Sequence, residues 1–141
     1  MSRVFFDTNL FIYMIEESGS MGGRVRTLLE RMSERRDELV TSTLTLGEVL
    51  VKPLATGNAA LADRYESLLS APAISILPFD RAAARTYAQL RLDRSLKAPD
   101  AIQLACAAVA RVDLFVTNDE RLSRKIVPGI QFITSLEHSF L

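Results

Sequence analysis

Cysteine and histidine are nearly absent: Cys106 and His138 are the only ones in 141 residues. A single cysteine excludes an internal disulfide framework and any multi-cysteine metal site. Cys106 falls inside an apolar stretch with no neighbouring base, so it reads as a small core residue rather than a nucleophile. A single histidine excludes the paired acid and base of a two-histidine ribonuclease, and His138 reads as a surface tail residue. An excess of charge is missing too. Seventeen Lys and Arg balance seventeen Asp and Glu, so no global basic field draws in nucleic acid. That argues against a sequence-independent duplex binder, although local charge can still serve a nucleic-acid substrate. No apolar run approaches the roughly 20 residues of a membrane helix. The first residues lack a basic segment followed by an apolar signal core. The expectation is a cytoplasmic protein, without a membrane partner, forming one domain over 1–141. Phosphate-loop glycines are also lacking: Gly19, Gly22 and Gly23 match neither GxxxxGK[ST] nor GxGxxG.

What is present is an alternation of short apolar runs with helical stretches, without internal repeats or low-complexity tracts. Val4–Asp7 reads as a buried strand followed by a helix to about Glu17. The glycines at 19, 22 and 23 read as hinges that break it, so the second helix is expected from Arg24 to Arg36. Leu39–Thr41 reads as a strand, and Ser42 or Thr43 caps a helix carrying Glu48 that Pro53 and Gly57 end. Asn58 caps a helix to about Ser70, Ile74–Pro78 is a strand, and Asp80 caps a helix to about Leu92. Pro99 opens a helix to about Arg111. Leu114–Thr117, a short helix over Glu120–Lys125 and a strand at Ile130–Ile133 complete the pattern. Continuous apolar strands separated by helices point to a three-layer α/β fold, a parallel sheet of about five strands with helices on both faces.

Ligands of such sheets collect beyond the carboxyl ends of the strands. Asp7 ends the first strand, and Asp119 follows the fourth in Asp113-Leu-Phe-Val-Thr-Asn-Asp119. Glu48 lies in the helix after the second strand, and Asp100 in the first turn of the apolar helix opened by Pro99. Each has an ordinary explanation taken singly: turn residues for Asp7 and Asp119, a helix-dipole preference for Asp100, a surface position for Glu48. Taken together they are expected to face one crevice. Two like charges about 5 Å apart repel by roughly 3 kcal/mol at an effective dielectric near 20. Lys97 is the basic neighbour that this reading sets against them, and one lysine does not neutralise four acids. Hard divalent cations do, and an all-oxygen donor set selects Mg²⁺ or Mn²⁺.

The set Asp7-Thr8-Asn9, Glu48, Asp100-Ala101 and Thr117-Asn118-Asp119 resembles the PIN-domain nucleases, and more narrowly the VapC-type toxins of bacterial toxin–antitoxin pairs. The resemblance covers essentially the whole chain. It implies a PIN-like fold and a metal-dependent endoribonuclease leaving a 5′-phosphate and a 3′-hydroxyl. Asp7 and Asp100 would be the principal metal ligands, with Asp119 bound directly or through water. Glu48 would orient the attacking water or complete the shell. Thr117 resembles the hydroxyl residue that the family places near the metal, Asn9 a polar helper to Asp7, and Thr8 and Asn118 would support them. A VapB-like antitoxin, a homodimer and an RNA substrate are implied as partners. Arg94 and Lys97, upstream of Asp100, are the expected phosphate contacts.

Three other readings compete. A Mg²⁺-binding receiver domain needs adjacent acids after the first strand and a lysine after the fifth, where this chain has Asp7 alone and Thr134-Ser135. A phosphatase with an aspartyl nucleophile needs a second Asp at position 9, which is Asn. An RNA-binding PIN-like scaffold without catalysis would not need all four acids. The segments Leu10–Ile15 and Leu44–Val51 are apolar on nearly every side; this surplus is either extra core or a seam for a partner helix or a second copy.

Overall fold

The computed structural model describes residues 1–16 and 19–139. The helix end expected at Glu17 lies outside them. In chain order the elements are β1 (Arg3–Phe6), α1 (Thr8–Glu16), α2 (Gly19–Arg35), β2 (Glu38–Ser42), α3 (Thr43–Ala55), α4 (Ala59–Leu69), β3 (Ile74–Leu77), α5 (Arg81–Leu90), α6 (Ala98–Val109), β4 (Leu114–Thr117), α7 (Glu120–Ser123) and β5 (Phe132–Ser135), followed by a 3-10 turn at Leu136–His138. All pairings are parallel, in the order β3-β2-β1-β4-β5. A receiver-like sheet has the order 2-1-3-4-5. The fold is the expected three-layer α/β one, a parallel five-stranded sheet with helices on both faces.

Side-chain alternation along the central strand separates the two faces. Val4 and Phe6 point into a core built with Leu10, Phe11, Val25, Leu28, Met32, Val49, Tyr65 and Leu69, so α1 to α4 cover that side. Phe5 points the other way, among Val40, Ala83, Leu104, Phe115 and Leu122, under α5, α6 and α7. Phe5 stacks on Phe115 with ring centroids 4.8 Å apart, across the β1–β4 pairing. Apolar strands buried on both faces are what a parallel sheet demands.

Several boundaries differ from the sequence expectation, most of them by one or two residues, and two differences have a clear physical cause. The glycines do not break the second helix: α2 starts at Gly19 and runs through Gly22 and Gly23. Its buried side, with Gly22, Val25, Leu28 and Met32, keeps helical spacing, and packing that stripe outweighs a helix cost of about 1 kcal/mol per glycine. The last strand lies two positions later than Ile130–Ile133. The backbone turns at Gly129, where φ is +99° and a Cβ would sit 2.6 Å from the Ala108 carbonyl oxygen. Pairing then begins at Leu114 with Phe132 and continues to Thr117 with Ser135. Pro53 stays inside α3, which ends at Ala55.

The apolar surplus divides. Ile12, Tyr13, Met14, Ile15, Leu46 and Leu50 pack partly buried against the first core, whereas Val51 and Leu54 on α3 remain 66% and 68% exposed. Among the described residues no helix is long and apolar enough to cross a membrane.

Candidate functional site

From β1 the chain moves outward to β2 and β3, then crosses back to place β4 on the other side of β1. The order reverses between β1 and β4, and their carboxyl ends open the crevice where such sheets bind ligands. Asp7 is the first residue past β1. Its N–H donates to the Val116 carbonyl at 3.0 Å, which continues the ladder by one residue. Its side chain is held at both oxygens. Oδ1 accepts the Thr8 N–H at 2.9 Å, and Oδ2 accepts the Thr117 hydroxyl at 2.8 Å. Thr117, the last residue of β4, also accepts the Asp119 N–H at 3.1 Å. The opening of α1 and the exit of β4 are thereby tied to one carboxylate.

The other acids arrive on helices. Glu48, on α3, accepts the Thr8 hydroxyl at 2.5 Å. Asp100 stands in the first turn of α6, and Asp119 caps α7 by accepting the Arg121 N–H at 2.9 Å. Asn9 donates to Asn118 at 3.0 Å, and Asn118 donates to the Tyr13 hydroxyl at 3.0 Å. Asp7, Glu48, Asp100 and Asp119 line one cleft of about 170 Å³, together with Thr8, Asn9, Pro99, Gln103 and Asn118. No three of these acids bring oxygens within 4.8 Å of one another. Among the described residues only the exposed trio Glu120, Glu137 and His138 is gathered that closely. His138 is exposed and pairs with Glu120 at 3.3 Å.

Burial pushes the Asp7 carboxyl up to about 6, against the lowering effect of its Thr117 and Thr8 hydrogen bonds, and the charges of Asp100 and Glu48 push the same way. Burial also raises Asp100, aided by the charges of Asp119 and Glu48 and opposed by Lys97 and Arg121. Asp119 behaves differently. Arg121 pairs with it at 3.2 Å and holds its carboxyl below the ordinary range. The cleft thus has one acid paired with a cation and, at Asp7 and Asp100, two for which no cation among the described residues compensates fully. Such opposed environments are characteristic of functional sites.

Arg121 is the cation that the sequence reading missed, although it lies two positions from Asp119, closer than Lys97 is to Asp100. The signal was local: an Asp capping a helix whose second residue is Arg. Lys97 occupies the N-cap of α6, and its charge reaches Asp100. Arg94 is exposed in the loop between α5 and α6. Neither lines the acidic cleft. A second cleft of about 280 Å³ shares Asp100 and Asp119, and its cations are Arg121, Arg124 and Lys125. Lys125 in turn pairs with Asp93 at 2.8 Å. Cys106 is buried with its Sγ 3.6 Å from the Pro78 carbonyl oxygen, and burial pushes the thiol up to about 11, which suits a core residue. Sequence reasoning also missed a buried polar layer under the cleft: Thr41, Ser42, Thr45 and Gln103. Hydroxyls in strand ends and helix starts give no periodic signal.

No curated protein matches the chain. Solved structures do. A chain of a toxin–antitoxin complex from Klebsiella pneumoniae is 25% identical, with 90% of this chain and 94% of that one covered and a TM-score of 0.68. VapBC2 from Rickettsia felis, solved on a promoter DNA fragment, superposes with a TM-score of 0.69 at 17% identity over 94% and 98% of the two chains. DNA-bound VapBC from Salmonella typhimurium gives 0.68 at 21% identity over 96% and 99%. The sequence model of the PIN domain matches residues 4–126, a span that runs from β1 past α7 and contains all four cleft acids. The chain belongs to the PIN-domain family, and the solved structures it resembles are toxin–antitoxin proteins, VapBC proteins among them, as the resemblance of its acidic motifs implied.

Proposed function

We propose that this protein is a divalent-metal-dependent endoribonuclease, the VapC-type toxin of a toxin–antitoxin pair, acting on RNA in the cytoplasm as a homodimer and silenced by a VapB-like antitoxin. The observation that carries the reading is Asp7. It is a half-buried carboxylate at the switch point of the sheet, clamped at both oxygens, with Asp100 and Glu48 raising rather than relieving its electrostatic cost.

The residues fit a hard cation. The donors lining the cleft are carboxylate, hydroxyl and amide oxygens, with neither sulfur nor imidazole among them, and this is the set that suits Mg²⁺ or Mn²⁺. Asp7 and Asp100 would be its principal holders, with Asp119 reaching it directly or through water. Since no three of the acids bring oxygens within 4.8 Å of one another, at least one of the three would act through water. When bound, such an ion supplies positive charge for the phosphodiester and lowers the pKa of water beside it.

The side chains do the rest. Thr117 and the Thr8 N–H keep the Asp7 carboxylate in one orientation. Glu48 has Oε1 committed to the Thr8 hydroxyl and no hydrogen-bond partner at Oε2 among the described residues. Oε2 is the atom placed to take a proton from an attacking water. Arg121, Arg124 and Lys125, in the adjoining cleft, supply positive charge for phosphates flanking the cut. Lys97 contributes from the start of α6, and Arg94 remains a more distant candidate.

The test is cleavage of a defined RNA. Cutting is expected with Mg²⁺ or Mn²⁺, to leave 5′-phosphate and 3′-hydroxyl ends, and to stop with EDTA. Cleavage of equal rate in EDTA, or cyclic phosphate ends, contradicts the proposal.

A further inference from the structure

Beneath the acidic cleft lies a layer of hydroxyls around one amide. Gln103 is 2% exposed and follows Asp100 by one turn of α6. Its Nε2 lies 3.2 Å from Thr8 Oγ1 and 2.7 Å from Thr45 Oγ1, and its Oε1 accepts the Ser42 hydroxyl. Thr8 Oγ1 is 2.5 Å from Glu48 Oε1, Thr45 Oγ1 is 2.8 Å from Thr41 Oγ1, and Thr41 Oγ1 is 2.8 Å from the Phe6 carbonyl.

The two ends of this layer fix the direction of every proton in it. An ionised carboxylate and a carbonyl only accept. Thr8 therefore donates to Glu48, and Thr41 donates to Phe6. Thr41 must then accept from Thr45. Both Thr8 and Thr45 have their protons committed, so each can take only a donor from Gln103. The amide nitrogen is the atom that satisfies both at once. Through this layer the helix of Asp100 is joined to the start of α1, to α3 and to the ends of β1 and β2, and so to Glu48 and to the strand that ends at Asp7; Asp119 lies outside it.

We propose that Gln103 is a positioning residue for RNA cleavage: its amide turns the Thr8 hydroxyl toward Glu48 and so fixes that carboxylate at the rim shared with Asp7 and Asp100. This rests on the nuclease reading above. A methionine of similar length at 103 fills the space but lets Thr8 turn its proton elsewhere. A displaced catalytic group costs up to about 10²-fold in rate.

Steady-state cleavage is compared for Gln103→Met, Thr8→Val and the double variant, each well below its unfolding midpoint, with wild type and Asp7→Asn alongside. Gln103→Met is expected to lower kcat about 10-fold with KM within about 2-fold. In the Thr8→Val background the same change should cost nothing further, whereas in Thr8→Ser, which keeps the hydroxyl, it should cost the full amount. A wild-type kcat in folded Gln103→Met, or losses that multiply in the Thr8→Val background, overturns the proposal in favour of a purely structural amide. Should Gln103→Met not fold, Ser42→Ala removes only the hydroxyl that steadies Oε1. A fall of about 3-fold in kcat is then expected, and no fall counts against the proposal. Wild type that fails to cut, or Asp7→Asn that cuts normally, defeats the nuclease reading itself. Wild type active, Asp7→Asn silent and Gln103→Met unimpaired defeats only the positioning role.

Discussion

Replacing Asp7 by asparagine is expected to cut RNA cleavage by about 10³-fold or more and, in the same protein, to raise stability at pH 7.5 in EDTA. The loss follows from removing the negative charge at the switch point, which no other residue supplies at that spot. The gain follows from its cost. The folded-state pKa of Asp7 is about 6 against an ordinary 3.8, so the folded chain binds this proton more tightly than the unfolded one does. The contribution of Asp7 to metal-free stability is therefore greatest below about pH 4, falls as pH rises toward 6, and stays low above. A shift of about two units corresponds to about 3 kcal/mol. Asparagine keeps an oxygen for the Thr8 N–H, and its amide can face Thr117, so the fold loses little. Denaturant melts at pH 4 and pH 7.5 measure this directly. The gap between variant and wild type should open with rising pH. A variant less stable than wild type at pH 7.5 refutes the electrostatic account of Asp7, whatever its activity.

Phe5→Ala is expected to have the largest effect on stability, a loss of about 4 kcal/mol. Phe5 is fully buried in the middle strand, and its ring lies 4.8 Å from that of Phe115 at an interplanar angle of 7°. Truncation leaves a cavity and removes a stacked pair worth about 1 kcal/mol by itself. Small domains are stable by only about 5–15 kcal/mol, so the urea midpoint should fall sharply while the slope stays constant. Leu92→Ala is the control: Leu92 is 84% exposed, and its loss should change stability by less than about 0.5 kcal/mol. Similar effects for the two would mean that the β1–β4 junction is not the centre of the core.

The sequence made some of this legible and left some of it out, for reasons that differ by residue. Apolar runs such as Val4-Phe5-Phe6 announce buried strands because a parallel sheet hides both faces. Acids directly past such runs, Asp7 and Asp119, were placed by chain continuity alone. Glu48 and Asp100 were harder, since their approach to the cleft depends on how α3 and α6 cross the sheet. The glycines at 19, 22 and 23 mislead because local propensity does not contain the packing that holds α2. The start of β5 misled because its register is set by the turn at Gly129 and not by hydrophobicity. Arg121 was overlooked although its relation to Asp119 is local. The Gln103 layer had no sequence signal, because its partners come from four separate elements.

The proposed function requires that a divalent cation bind between acids brought together from distant parts of the chain. Its most direct measurement is the thermal midpoint of the protein against Mn²⁺ concentration, for wild type, Asp7→Asn and Asp100→Asn, with His138→Ala as a control for the exposed trio with Glu120 and Glu137. Saturable stabilisation is predicted in wild type and His138→Ala, as a ligand that binds only the folded state requires, and its loss in both aspartate variants. A flat response in wild type, or an equal rise in Asp7→Asn and Asp100→Asn, would contradict the account.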